Sequence, residues 1–268
     1  MYFMDNTVKS LDEQVRGLDL MVGSLSLFVA ALSAEELESK GALMMPKKKY
    51  IGEKAVALAK DLEDSRLEIK KRIETGYGIL NDKIKELSFD LQDKFRREFQ
   101  SGRQKVLDMA DPVVDPEEQI KKYLPCNTFQ EFLGFSNEMI EWVYQVGRSL
   151  FEEKKFWEAS DLFHILLSFD TFMPSYWRAL GLSEKELRNY EGALFIFNSL
   201  SGLDPNNLFA HYNSAELYLE LGEIEEALKE LQILSDVIEN TKQEQYRASH
   251  DALYKCVIQK KSKSIGAL

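Results

Sequence analysis

From residue 140 the chain repeats itself every 34 residues, in three lines that stay in phase without insertion or deletion: 140–173, 174–207 and 208–241. The eighth position holds Gly147, Gly181 and Ala215, and the twentieth holds Ala159, Ala193 and Ala227. The twenty-fourth holds Phe163, Phe197 and Leu231, and the twenty-seventh Leu166, Leu200 and Leu234. A period of this length, with apolar residues three and four apart on either side of a polar turn, reads as one helical pair per line. The stretch PSYWRALG sharpens the reading, because Gly181 stands inside a helix, where glycine costs about 0.5–1 kcal/mol relative to alanine. The cost is offset if the two helices of a pair cross closely there, with position eight facing position twenty. The predicted fold is therefore all-α, a superhelical stack of three such pairs.

The second line, with Trp177, Leu180, Gly181, Ala193, Phe197 and Pro205, resembles the tetratricopeptide repeat. The first line has Val143 and Thr171 at the Trp and Pro positions, and the third departs further, with His211 and Glu239. The resemblance implies that the first helix of each pair lines a concave groove. It maps groove positions onto Tyr144, Arg148, Phe151, Arg178, Leu182, Lys185, Phe209, Tyr212, Glu216 and Leu219, flanked by Glu141, Glu152, Ser175, Glu186 and Glu220. Aromatic and aliphatic anchors among Arg and Glu suit an extended peptide. EWVYQVGRSLFEEKKFWEASDLF and AHYNSAELYLELGEIEEALKEL are further similar to the class II chaperones of bacterial type III secretion. That resemblance implies a non-catalytic cytoplasmic chaperone holding a hydrophobic translocator or related client, with anchors at Tyr144, Phe151, Leu182 and Tyr212. Residues 1–115 have no counterpart in that family.

A solenoid needs covered ends. NTFQEFLGFSNEMIEW predicts a short helix and then a helix start with Ser136 as N-cap. At the other end, 243–260 predicts a capping helix that buries Tyr246, Ala252, Leu253 and Val257, before a basic tail at 261–268. The repeat domain is thus placed at 128–260, after a linker at 111–127 marked by Pro112, Pro116 and Pro125.

Residues 1–110 carry helical heptads instead. Val8, Val15, Val22 and Val29 alternate with Leu11, Leu18, Leu25 and Leu32, while Met21 and Phe28 broaden the stripe beyond a narrow zipper. After a break at 39–50, a second helix is expected from about Glu53 to about Met109, bent by Gly76 and Gly78. The two form a helical hairpin within one chain, or a coiled coil that makes a homodimer through residues 8–32. An oligomeric scaffold that recruits a partner through the repeats is accordingly the rival to the chaperone reading. The uncharged run 20–32, LMVGSLSLFVAAL, has thirteen residues, too few for a membrane-spanning helix.

Charge and chemistry narrow the function. Residues 111–241 hold 24 Asp and Glu against 9 Lys and Arg, whereas 1–110 hold 19 of each. Phosphate backbones need clustered cations, so nucleic acid is not an expected partner. Cys126 and Cys256 stand far apart, and His164, His211 and His250 lack ligand spacing, so no metal, disulfide or cofactor is expected. No nucleophile or phosphate-loop motif occurs, and an enzyme is not expected.

Overall fold

The computed structural model describes residues 75–109 and 128–265, with Arg72 and Cys126. The described residues are helical, joined by short turns, with no strand among them. The heptads of 8–32, the break at 39–50 and, Cys126 apart, the linker at 111–127 lie outside them. By its internal contacts the chain divides into two compact units, residues 1–142 with 168–170, and residues 143–167 with 171–268.

In the first unit, residues 75–84 are helical and helix α1 spans Phe89–Met109. The single helix expected through this region is broken at 85–88, not bent at Gly76 and Gly78, which both lie within helix. Ser88 and Asp90 are residue types that open helices, and the Gln92 side chain reaches back over the break. Its amide donates to the Leu87 carbonyl at 2.8 Å and the Lys85 carbonyl at 3.2 Å, groups that a straight helix would have paired along the backbone. Helix α2, Phe129–Leu133, starts where Thr128 accepts from the Glu131 N–H and ends at Gly134 with φ 78°. Ser136 then caps the start of α3, Asn137–Glu152, its hydroxyl accepting from the Met139 N–H at 3.2 Å. Phe95, Phe135, Met139 and Phe169 are buried here, and Phe135 lies against Gly102, where a methyl would meet its ring at 2.7 Å.

The second unit stacks helical pairs. Residues 143–152 of α3 pair with α4 (Phe156–Phe169), α5 (Pro174–Glu186) with α6 (Tyr190–Leu203), and α7 (Leu208–Leu221) with α8 (Ile224–Thr241). Helix α9, Arg247–Ile265, packs on α8 after a single 3-10 turn. The 34-residue period reappears in the backbone, because the three pair-closing turns place Lys154, Arg188 and Gly222 in the left-handed region at φ 60°, 60° and 83°. In each turn two successive N–H groups return to the end of the first helix: Arg188 to Lys185 and Asn189 to Glu184, for example. That is the glycine-type helix stop, made twice with a side chain present.

The small residues at position eight do set the close approach, but the residue they face differs from the expectation. The nearest atoms to a methyl built on Gly181 belong to the Phe197 ring, at 2.5 Å, and for Gly147 to the Phe163 ring, at 2.8 Å. The partner is position twenty-four, one turn beyond the buried alanines at position twenty. In the third pair both change together, Ala215 standing with Leu231 in one buried cluster. A methyl added on one helix is matched by a smaller side chain on the other, as close packing requires.

The capping helix also departs from its predicted face. Leu253 and Val257 are buried, but Tyr246 and Ala252 are exposed. His250 takes the inner place, one ring nitrogen 3.1 Å from the Leu231 carbonyl. The helix runs on through the expected basic tail to Ile265, where Lys261 pairs with Glu225 at 2.8 Å.

Candidate peptide-binding cleft

The first helices of the three pairs border a cleft of about 410 Å³. Its walls are Tyr144, Arg148, Phe151 and Glu152 from α3, Ser175, Arg178, Ala179 and Leu182 from α5, and Phe209 from α7, with Phe163 of α4 behind. These positions recur because residues two, five, nine and twelve of a repeat share one helix face. Six of the ten groove residues named from the sequence therefore meet in one place: Tyr144, Arg148, Phe151, Arg178, Leu182 and Phe209.

Their side chains are fixed from behind. The Tyr144 ring lies 6.0 Å from Phe163 and 5.6 Å from Tyr176, and Phe151 meets Phe156 edge-on at 5.2 Å. Phe209 rests edge-on against Phe197, at 5.8 Å, while the Arg178 guanidinium lies 5.9 Å from its centroid. Arg148 is paired only loosely, 3.7 Å from Glu152, and both are exposed. The cleft thus offers an apolar floor with two guanidinium groups at its rim.

The other four lie elsewhere. Lys185 is bonded to Glu216 and to the Asn213 side-chain oxygen at 3.2 Å, so two of the named groove charges neutralise each other. Tyr212 and Leu219 pack on the third pair's cluster, which includes Leu253 and Val257 of α9. Burial, followed by the nearby Glu216 carboxylate, pushes the Tyr212 hydroxyl above its ordinary pKa. Lys260 of α9 also donates to the Leu219 carbonyl, so the capping helix covers the end of α7. The continuous three-repeat groove expected from the sequence is shortened on this side because α9 is longer and closer than its periodicity indicates.

Sequence reasoning missed Glu184 and the bonding partners of His211. Glu184 is buried between pairs, accepting from the Ser160 hydroxyl at 2.5 Å and from the Asn189 amide at 2.7 Å. His211 is buried with both ring nitrogens on acceptors, Nδ1 2.8 Å from a Glu230 oxygen and Nε2 3.0 Å from the Pro205 carbonyl. Burial pushes its pKa down, but the Glu230 hydrogen bond, the Pro205 carbonyl and the Glu230 and Asp204 charges outweigh this and raise it. The geometry also explains the odd residue at position four. The Trp177 indole N–H donates to the Thr171 carbonyl at 2.7 Å, and Thr171 and Pro205 hold the same place in successive repeats. Histidine replaces the indole N–H with an imidazole one. Of the other aromatic residues, Trp142 packs 5.5 Å from Phe95, whereas Trp157 is exposed.

Residues 186–249 match the family model of the tetratricopeptide repeat. Over those residues the chain carries tetratricopeptide repeats. No curated protein matches it. A type III secretion complex from Aeromonas hydrophila shares the fold, with a TM-score of 0.50, 19% identity, and coverage of 55% of this chain and 99% of that one. PcrH in complex with the chaperone-binding region of PopD gives a TM-score of 0.45 at 24% identity, over 48% of this chain and 97% of that one. Yersinia enterocolitica SycD in complex with a peptide of the translocator YopD gives 0.44 at 19%, over 48% and 97%. No helix of the described residues is long and apolar enough to cross a membrane, and none of their His, Cys, Asp and Glu groups is placed to hold a metal.

Proposed function

We propose that the tetratricopeptide repeats hold an extended segment of a client protein in the cleft between α3, α5 and α7, as a non-catalytic chaperone of a type III secretion system in the bacterial cytoplasm. The observation that carries the reading is the cleft itself, an apolar floor of Tyr144, Phe151, Leu182 and Phe209 rimmed by Arg148 and Arg178 within a strongly acidic region. Apolar side chains of the client enter the floor, and its backbone and carboxylates meet the rim. Binding then masks a hydrophobic segment that would otherwise drive aggregation. The sequence likeness of residues 141–163 and 210–231 to class II secretion chaperones supports a translocator or effector as the client class, and the fold shared with a type III secretion complex supports the secretion setting.

The test is selection of displayed random peptides on the full chain, followed by anisotropy titration of the labelled winners. Leu182→Glu and Arg178→Glu should each weaken binding at least tenfold, and Asp236→Lys on α8 should leave it unchanged. Peptides indifferent to both cleft substitutions would refute the assignment.

A further inference from the structure

The helix opposite the cleft carries a second surface. From Gly192 to Leu203, α6 has no charged residue, whereas the matching residues of α8, 226–237, include Glu226, Lys229, Glu230 and Asp236. Phe195 is 71% exposed on this face and Leu203 45%. The two serines beside them turn inward, the Ser199 hydroxyl donating to the Phe195 carbonyl at 2.8 Å and the Ser201 hydroxyl to the Asn198 carbonyl at 2.9 Å. Asn198, between Phe195 and Leu203, is exposed, but its side-chain oxygen accepts from the Ser214 hydroxyl at 3.1 Å, so the face is uncharged and largely apolar.

Gly202 is the telling residue. Within the repeats, Gly147 and Gly181 face phenylalanine rings, Gly192 faces the Asn189 cap, and Gly222 has positive φ. A methyl on Gly202 would meet nothing within 4 Å. Its helix cost, about 0.5–1 kcal/mol against alanine, has no return among the described residues. Phe195 and Gly202 lie seven residues apart on one face, a knob and a hole separated by ~10 Å along the axis.

We infer that α6 is a self-association surface, pairing antiparallel with α6 of a second copy about a twofold axis near Asn198 and Ser199. That operation seats Phe195 of each copy over Gly202 of the other, and an isologous contact needs such self-complementarity. Charge selects the same place, since residues 111–241 carry a net −15 and like copies repel wherever carboxylates face each other. One helix pair is a small interface, below the roughly 1,200 Å² of stable complexes, so the dimer forms at micromolar concentration. The inference does not depend on the cleft reading, which concerns the opposite helices.

The experiment uses the full chain with Cys126→Ser and Cys256→Ser, adding Ser199→Cys at the axis or Gln232→Cys on α8 as control, under oxidised glutathione. Ser199→Cys should give a disulfide-linked dimer in at least tenfold excess over Gln232→Cys, and Phe195→Glu should remove it while leaving the thermal melt in place. Equal linkage at the two positions, linkage that survives Phe195→Glu, or none at Ser199→Cys would each overturn the inference.

Discussion

The second and third repeats reach one backbone geometry with different atoms. Repeat two closes its helix crossing with Gly181 on Phe197, and repeat three with Ala215 in the cluster of Leu231. Repeat two anchors position four through an indole N–H, and repeat three through an imidazole. Repeat two turns at Arg188 and repeat three at Gly222, both in the left-handed region. The comparison teaches that the period specifies distances, and that residue identity follows only in matched sets. Each matched set can be broken on one side and mended on the other.

The helix crossing is where breaking it costs most. Gly181→Leu places a branched side chain where even a methyl meets Phe197 at 2.5 Å. Overpacking of this kind costs about 1–3 kcal/mol or more, and the melting temperature should fall by several degrees. Gly181→Ala should fall less, and Gly181→Ala with Phe197→Leu, which copies repeat three, should recover most of that loss. A double variant no better than Gly181→Ala would show that the two positions are not coupled.

This coupling marks how far the sequence could be read. The 34-residue register gave the pairs, their turns and the small positions, because packing at a crossing leaves a periodic trace. It did not give the facing residue, since positions twenty and twenty-four lie one turn apart on the same face and periodicity cannot separate them. The left-handed turns at Lys154 and Arg188 were illegible for another reason, as neither residue prefers that conformation and only the register with Gly222 implies it. Six groove residues were legible as one helix face. Tyr212 and Leu219 were not, because their cover comes from α9, whose outer face keeps Tyr254 and Ile258 exposed and so blurs its apolar stripe.

Histidine in place of the indole makes repeat three sensitive to pH where repeat two is not. Glu230 of α8 accepts one ring proton and Pro205 of the α6–α7 turn the other, with Asp204 nearby, so the charged imidazole satisfies every group facing it. Deprotonation leaves one acceptor opposed by a lone pair. The folded pKa is raised, so the stabilisation is complete below the unfolded value of about 6.5 and is lost as pH rises through the folded one. The melting-temperature gap between the native chain and His211→Leu should therefore narrow from pH 6 to pH 9. A gap constant over that range would mean that His211 stays in one protonation state throughout.

The smallest effect should come from the turn. Arg188 and Gly222 adopt nearly the same φ, at 60° and 83°, yet only the glycine does so without a Cβ penalty, roughly 1–2 kcal/mol per residue at its largest. Arg188→Gly also frees the unfolded chain, which opposes the gain. The net should be a stabilisation of a few tenths to about 1 kcal/mol, read as a higher urea midpoint at constant slope. Gly222→Arg should lower the midpoint by a similar amount, since it installs in repeat three the strain that repeat two carries. If both substitutions moved the midpoint in the same direction, the two turns would not be equivalent, and the shared period would describe the helices alone.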